Sequence, residues 1–138
     1  RSAMQSWPHP KELSAPVWHM DLSIEWLIEL AENWPRLCFG SAGPYWQVGS
    51  EKWERRADEA WNALARRGLR PWVHMMRGLA LCGERWPCAS ADSVNVARNV
   101  KTARVCPERM ARVIDARQSP MQWRVRAMTA DMFLEADQ

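Results

Sequence analysis

Tyrosine and phenylalanine are nearly missing from this chain of 138 residues, which has one of the first and two of the second. Long apolar runs are missing too. No stretch reaches the roughly 18 residues that a membrane-spanning helix needs, and no basic-apolar-cleavage pattern opens the chain. The reading is a cytoplasmic protein with no membrane partner. The four cysteines, Cys38, Cys82, Cys88 and Cys106, lack a tight paired spacing. They read as reduced thiols, Cys82 with Cys88 is too weak a pair to hold a metal, and no cofactor is expected. Between Glu12 and Glu32 there is no Lys or Arg.

What is present is ordinary in bulk: 47% hydrophobic and 25% charged residues, enough for one domain with a modest core. Ten tryptophans supply the aromatic mass, for bulky layers and for a ligand or partner surface. The net charge of +3 is uneven, because Arg98, Lys101, Arg104, Arg109, Arg112, Arg117, Arg124 and Arg126 crowd the last third. Gathered on one face, the first five would attract a polyanion such as tRNA or DNA; spread out, they are a solvated helical surface.

Residues 1–15, rich in Pro, Ser and polar groups, read as a loop or linker. The run 16-PVWHMD-21 is a short buried strand, and 22–33 carries Ile24, Leu27, Ile28 and Ala31 at helical spacing. Pro35 bars continuation, and 36-RLCFGSAG-43 is a strand running into a glycine-bearing turn. A second helix spans 51–68, with Ser50 as cap, Trp53, Ala57, Ala60, Trp61 and Leu64 as inner stripe, and Gly68 as stop. Strands follow at 71-PWVHMM-76 and 87-PCASADS-93, joined by a stretch too short and glycine-broken for a full crossover helix. Helical patterns then cover 94–101, 107–117 and 121–136. The fold class is α/β: a parallel sheet of about four strands with flanking helices over 16–101, resembling a half TIM barrel. A helical extension over 102–138 packs on it.

Parallel strands joined by right-handed crossovers end on one edge, where α/β proteins place their sites. That edge would gather His19 and Asp21, then Gly40, Ser41 and Gly43, then His74 and Arg77, then Ser90, Asp92 and Asn95. Two accounts stand for most of these. Asp21 and Asp92 either cap helices or act on a ligand, and His19 and His74 are either packed structural residues or catalytic ones. The 40-GSAG-43 turn suits a phosphate or a base edge but is also just a tight turn. Helix capping does not call for His74, Arg77 or Ser90, which favours a site with Asp92, His74 and Asp21 as its reactive groups.

The runs 38-CFGSAGPYWQVG-49, 71-PWVHMMRGL-79 and 87-PCASADSVNVARN-99 resemble the later strands of a queuine tRNA-ribosyltransferase-like (β/α)8 barrel. The likeness, to the divergent type encoded by phages and mobile elements, covers about residues 16–100. It implies that Asp92 is the nucleophile forming a covalent ribosyl intermediate and that the Gly40–Gly49 segment holds a 7-deazaguanine-type base. The complete barrel has about 250 residues and eight strands, whereas this chain supplies about four. The zinc-binding cysteines of the tRNA enzymes are absent here, since Cys106 stands alone in that region. Three arrangements would satisfy the exposed edges: a longer protein, two copies completing the sheet as a homodimer, or a recast open sandwich. The expected function is nucleic-acid base exchange in the host cytoplasm. The alternative is a catalytically inactive phage-encoded binding protein, such as an inhibitor of a host nucleic-acid-directed defence complex.

Overall fold

The computed structural model describes Met4, residues 6–79, Leu81, residues 85–92, Cys106, Glu108, Arg109, Arg112 and residues 123–126. The strands and α-helices in chain order are β1 (Val17–His19), α1 (Ile24–Asn33), β2 (Arg36–Gly40), α2 (Glu51–Arg66), β3 (Trp72–Met75) and β4 (Ser90–Ala91), with single 3-10 turns at Lys11–Leu13 and Gly43–Tyr45. All neighbouring strands are parallel and lie in sequence order, β1-β2-β3-β4. A consecutive order means that each crossover steps the same way, so right-handed connections place their helices on one face of the sheet.

Burial follows from that one-sided cover. Trp18, Leu37, Phe39, Val73 and Met75 alternate along the strands and form one core with Leu27, Leu30, Trp53, Ala57, Ala60, Trp61 and Leu64 of the helices. The scarcity of Phe and Tyr is met by indoles: Trp18, Trp53 and Trp86 are wholly buried, and Phe39 meets the Trp18 ring edge-on at 5.1 Å. On the other face lie Val17, His19, Arg36, Cys38, Trp72, His74 and Ser90, partly or fully open to solvent.

The helix ends follow local chemistry. Ser23 Oγ accepts from Trp26 N at 3.2 Å at the start of α1, and Ser50 Oγ accepts from Trp53 N at 3.3 Å at the start of α2. α2 stops at Gly68, whose φ of 67° lets Leu69 N reach Leu64 O at 3.0 Å and Gly68 N reach Ala65 O at 3.0 Å. The strands are shorter than the sequence pattern predicts, because pairing ends where turns begin.

Between β3 and β4 no helix occurs among the described residues. Trp86, in this connection, is buried against α2. Its ring stands at 90° to Trp53 with centroids 5.2 Å apart, and its Nε1 donates to Asp58 at 2.9 Å. The expected helix over 121–136 is corrected at its described part: Trp123–Arg126 is neither helix nor strand. The physical reason is Asn62 on α2, whose side chain bonds both the N–H and the carbonyl of Arg126, groups that a helix would otherwise use. Glu108, Arg109 and Arg112 have helical backbone, and the other residues of the helix expected over 107–117 lie outside the described residues. Apart from Cys106, the remainder of 94–138 lies outside the described residues. No helix among the described residues is long and apolar enough to cross a membrane.

Candidate functional site at the carboxyl ends of the strands

On the face opposite α1 and α2 the register builds rows. Val17 pairs with Cys38, Cys38 with His74, and His74 with Ser90, so these four lie side by side across the sheet. His19 pairs with Gly40 one step nearer the carboxyl ends, and Asp92 lies two residues past Ser90, which returns its side chain to this face. A carboxylate, two imidazoles, a thiol and a hydroxyl thus share the carboxyl half of one open sheet face.

Asp92 is exposed, and its carboxylate Oδ1 accepts from the main-chain N–H of Arg77. Its own main chain extends the ladder, with Asp92 N donating to Met75 O at 3.3 Å and Leu79 N donating to Asp92 O at 3.3 Å. Oδ2 takes no hydrogen bond among the described residues. Arg77 makes this geometry through a left-handed backbone, φ 61°, unusual for a non-glycine residue and worth roughly 1–3 kcal/mol of strain. The same residue sends its guanidinium to Ser41 O at 2.9 Å, tying the end of β2 to the turn after β3.

His74 is half-buried. Its Nδ1 lies 2.7 Å from Ser90 Oγ, and its ring stacks on Trp72 with centroids 6.4 Å apart and planes 13° apart. Two contacts fix the ring, leaving Nε2 with no partner among the described residues. The Arg36 guanidinium sits 5.8 Å above the other partner of the stack, Trp72.

His19 is exposed at the end of β1 and its ring lies over Gly40: a Cβ at Gly40 would come within 2.9 Å of His19 Nδ1. Gly40 is therefore needed for close approach. Asp21 is exposed and caps nothing, since Ser23 caps α1. It rests instead against Gly43, where a Cβ would meet Asp21 Cβ at 2.9 Å and where φ is 54°. Ser41 is buried and already engaged, its hydroxyl accepting from Trp53 Nε1 at 2.9 Å and its carbonyl from Arg77. The residues brought together are thus Asp92, His74, Ser90, His19, Gly40 and Arg77, with Asp21 and Gly43 alongside. Asn95, Arg98, Lys101 and Arg104 lie outside the described residues. Arg109 and Arg112 are exposed, and Arg112 Nε donates to Glu108 O at 3.4 Å.

Two residues of importance escape a reading by motif. Cys38 lies in the central row beside His74, and burial, then the negative charge of Asp92, raises its pKa above the ordinary thiol value. Period-two spacing from Gly40 was the signal that could have found it. The second is Arg56, which holds the rim together from α2. Its Nε donates to Met20 O at 2.8 Å and its Nη2 to Leu22 O at 2.6 Å, while the guanidinium lies 5.4 Å over the rings of both Trp18 and Tyr45. Nothing in the local sequence marks that reach of more than thirty residues.

Among the described residues no group of three or more His, Cys, Asp and Glu side chains is placed to hold a metal ion. Two cavities with described linings lie elsewhere, one beside Trp61 and Trp123 and one between α1 and α2. In comparisons with known proteins, no family model, no curated protein and no solved structure matches this chain.

Proposed function

We propose that the open rim carries out base exchange at a nucleotide, the reaction implied by the resemblance to queuine tRNA-ribosyltransferase-like barrels. One observation carries the proposal. Asp92 is exposed at the end of the last strand, with one carboxylate oxygen held by a main-chain N–H and the other unengaged among the described residues. A carboxylate so aimed suits attack on a sugar carbon.

In the first step Asp92 bonds to C1′ as the C1′–N bond to guanine breaks, and the departing base takes a proton. In the second, an incoming 7-deazaguanine-type base loses its ring N–H proton, bonds to C1′ and displaces the carboxylate. His74 is the group for both proton transfers, because Ser90 and Trp72 hold its ring and leave Nε2 available. His19 and Arg77 flank the base or its phosphate, with Gly40 giving room at the sheet surface. Cys38 is the weaker nucleophile, since its raised pKa keeps it a thiol near neutral pH.

The 2.7 Å contact between His74 and Ser90 favours one rival, a serine nucleophile with a histidine base. Variants separate the two. With labelled guanine and guanine-containing tRNA or DNA, Asp92→Asn should lower incorporation by roughly a thousandfold or more, while Ser90→Ala should retain a measurable rate. Unchanged incorporation in Asp92→Asn, or none in the wild-type chain, would overturn the proposal. The binding-protein alternative predicts instead that Asp92→Asn is silent and that alanine at the exposed Arg109 and Arg112 weakens partner capture.

A further inference from the structure

We infer that the surface of α2 bearing Asp58, Trp61 and Asn62 is a receptor for an extended peptide of the form Trp-x-x-Arg, and that residues 123–126 are its resident occupant. Asn62 is wholly buried in a helix interior, where an amide left without partners is costly. All of its bonding goes to this segment. Oδ1 accepts from Arg126 N at 2.9 Å and from Trp123 Nε1 at 2.9 Å, and Nδ2 donates to Arg126 O at 3.1 Å. Reading both main-chain groups of a single residue is how a sheet edge grips an added strand, here done by one side chain.

Side chains then supply selectivity. The Trp123 ring lies 6.4 Å from Trp61, tilted by 35°, and the Arg126 guanidinium covers Trp123 at 4.3 Å. Arg126 Nη1 stands 3.6 Å from Asp58 Oδ1, a carboxylate of which only 15% is exposed, and Nη2 donates to Arg85 O at 3.3 Å. The intervening Arg124 and Val125 are exposed. Beside the segment is a cavity of about 330 Å³, lined by Trp61, Leu69, Pro71 and Pro87 together with Trp123 and Val125. A stretch that belongs to no helix or strand, borders a cavity and is gripped at its first and fourth residues is bound as a ligand is bound. The site is independent of the rim chemistry proposed above.

The test uses the full chain carrying Trp123→Ala and Arg126→Ala, which loosens the resident occupant by removing both of its anchoring side chains, and a fluorescein-labelled peptide spanning residues 120–129. Fluorescence anisotropy should show saturable binding to this double variant. Binding to the wild-type chain should be at least about tenfold weaker, because the tethered occupant competes at high effective concentration. Alanine at the Trp or Arg of the peptide should also weaken binding at least about tenfold. Should the double variant fail to fold, Arg126→Ala alone serves as the receptor with the same expected order against wild type. No binding to the double variant, equal binding to the wild-type chain, or indifference to the Trp and Arg of the peptide would each overturn the inference.

Discussion

Cys38 retains its proton in the folded chain beyond the pH at which a free thiol loses it, first because it is partly buried and second because Asp92 is near. Two consequences follow at the scale of the residue. As pH rises, the unfolded state releases this proton first, so the contribution of Cys38 to stability falls from roughly pH 8.5 upward. Urea midpoints measured across that range should drop more steeply for the wild-type chain than for Cys38→Ser. Asp92→Asn removes the negative neighbour, so the pH profile of Cys38 alkylation, followed by peptide mass, should shift toward lower pH. A profile that does not move would separate Cys38 from Asp92. At this scale the sequence was a partial guide. Asp92, His74 and Ser90 were legible from strand alternation, since they repeat every second position toward strand ends. Cys38 was not, because a thiol between two apolar residues reads as core unless one knows which sheet face α1 and α2 cover.

At the scale of elements, the order of strands and helices was readable because caps and stops are local: Ser50, Gly68 and Pro35 act within a turn of where they stand. Gly68 shows the principle most simply. A Cβ there would meet nothing within 4 Å, so φ of 67° alone demands glycine. Gly68→Ala should destabilise by about 1–2 kcal/mol in urea unfolding, the cost of a left-handed L-residue, with unchanged helix content by circular dichroism. The expected helix through Trp123–Arg126 failed for the opposite reason. Its apolar spacing is helical, but the partner that overrides it, Asn62, stands sixty-four residues away. The β3–β4 crossover is similar: glycines argue against a full crossover helix there, and none occurs among the described residues, while the packing of Trp86 against Trp53 is a long-range contact with no local sign.

Among the described residues of the molecule, α1 and α2 pack on one face of the sheet, and the other face carries residues partly or fully open to solvent. This asymmetry is testable by pairing adjacent residues of β1. Val17, 37% exposed, points to the open face, and Trp18, fully buried, to the covered one. Val17→Lys should change stability by no more than about 0.5 kcal/mol, whereas Trp18→Ala should cost about 3–5 kcal/mol, both read from denaturant titration. A large loss for Val17→Lys would mean that the open face is covered in solution. The α/β class and the shared strand direction came from the alternation of patterns along the chain. The consecutive order, which puts the two described crossover helices on one face, comes from pairing that no local pattern encodes.

Arg77 adds a last point about durability. The group that steadies the Asp92 carboxylate is a main-chain N–H, presented by the path of the backbone through position 77. Drift in the side chain there could sever the tie to Ser41 and still leave that anchor in place. Proline is the exception, since it lacks the hydrogen and cannot take the angle. The orientation of the carboxylate is thus written in the route of the chain more than in its alphabet, and relatives could spell the turn differently while aiming the same oxygen.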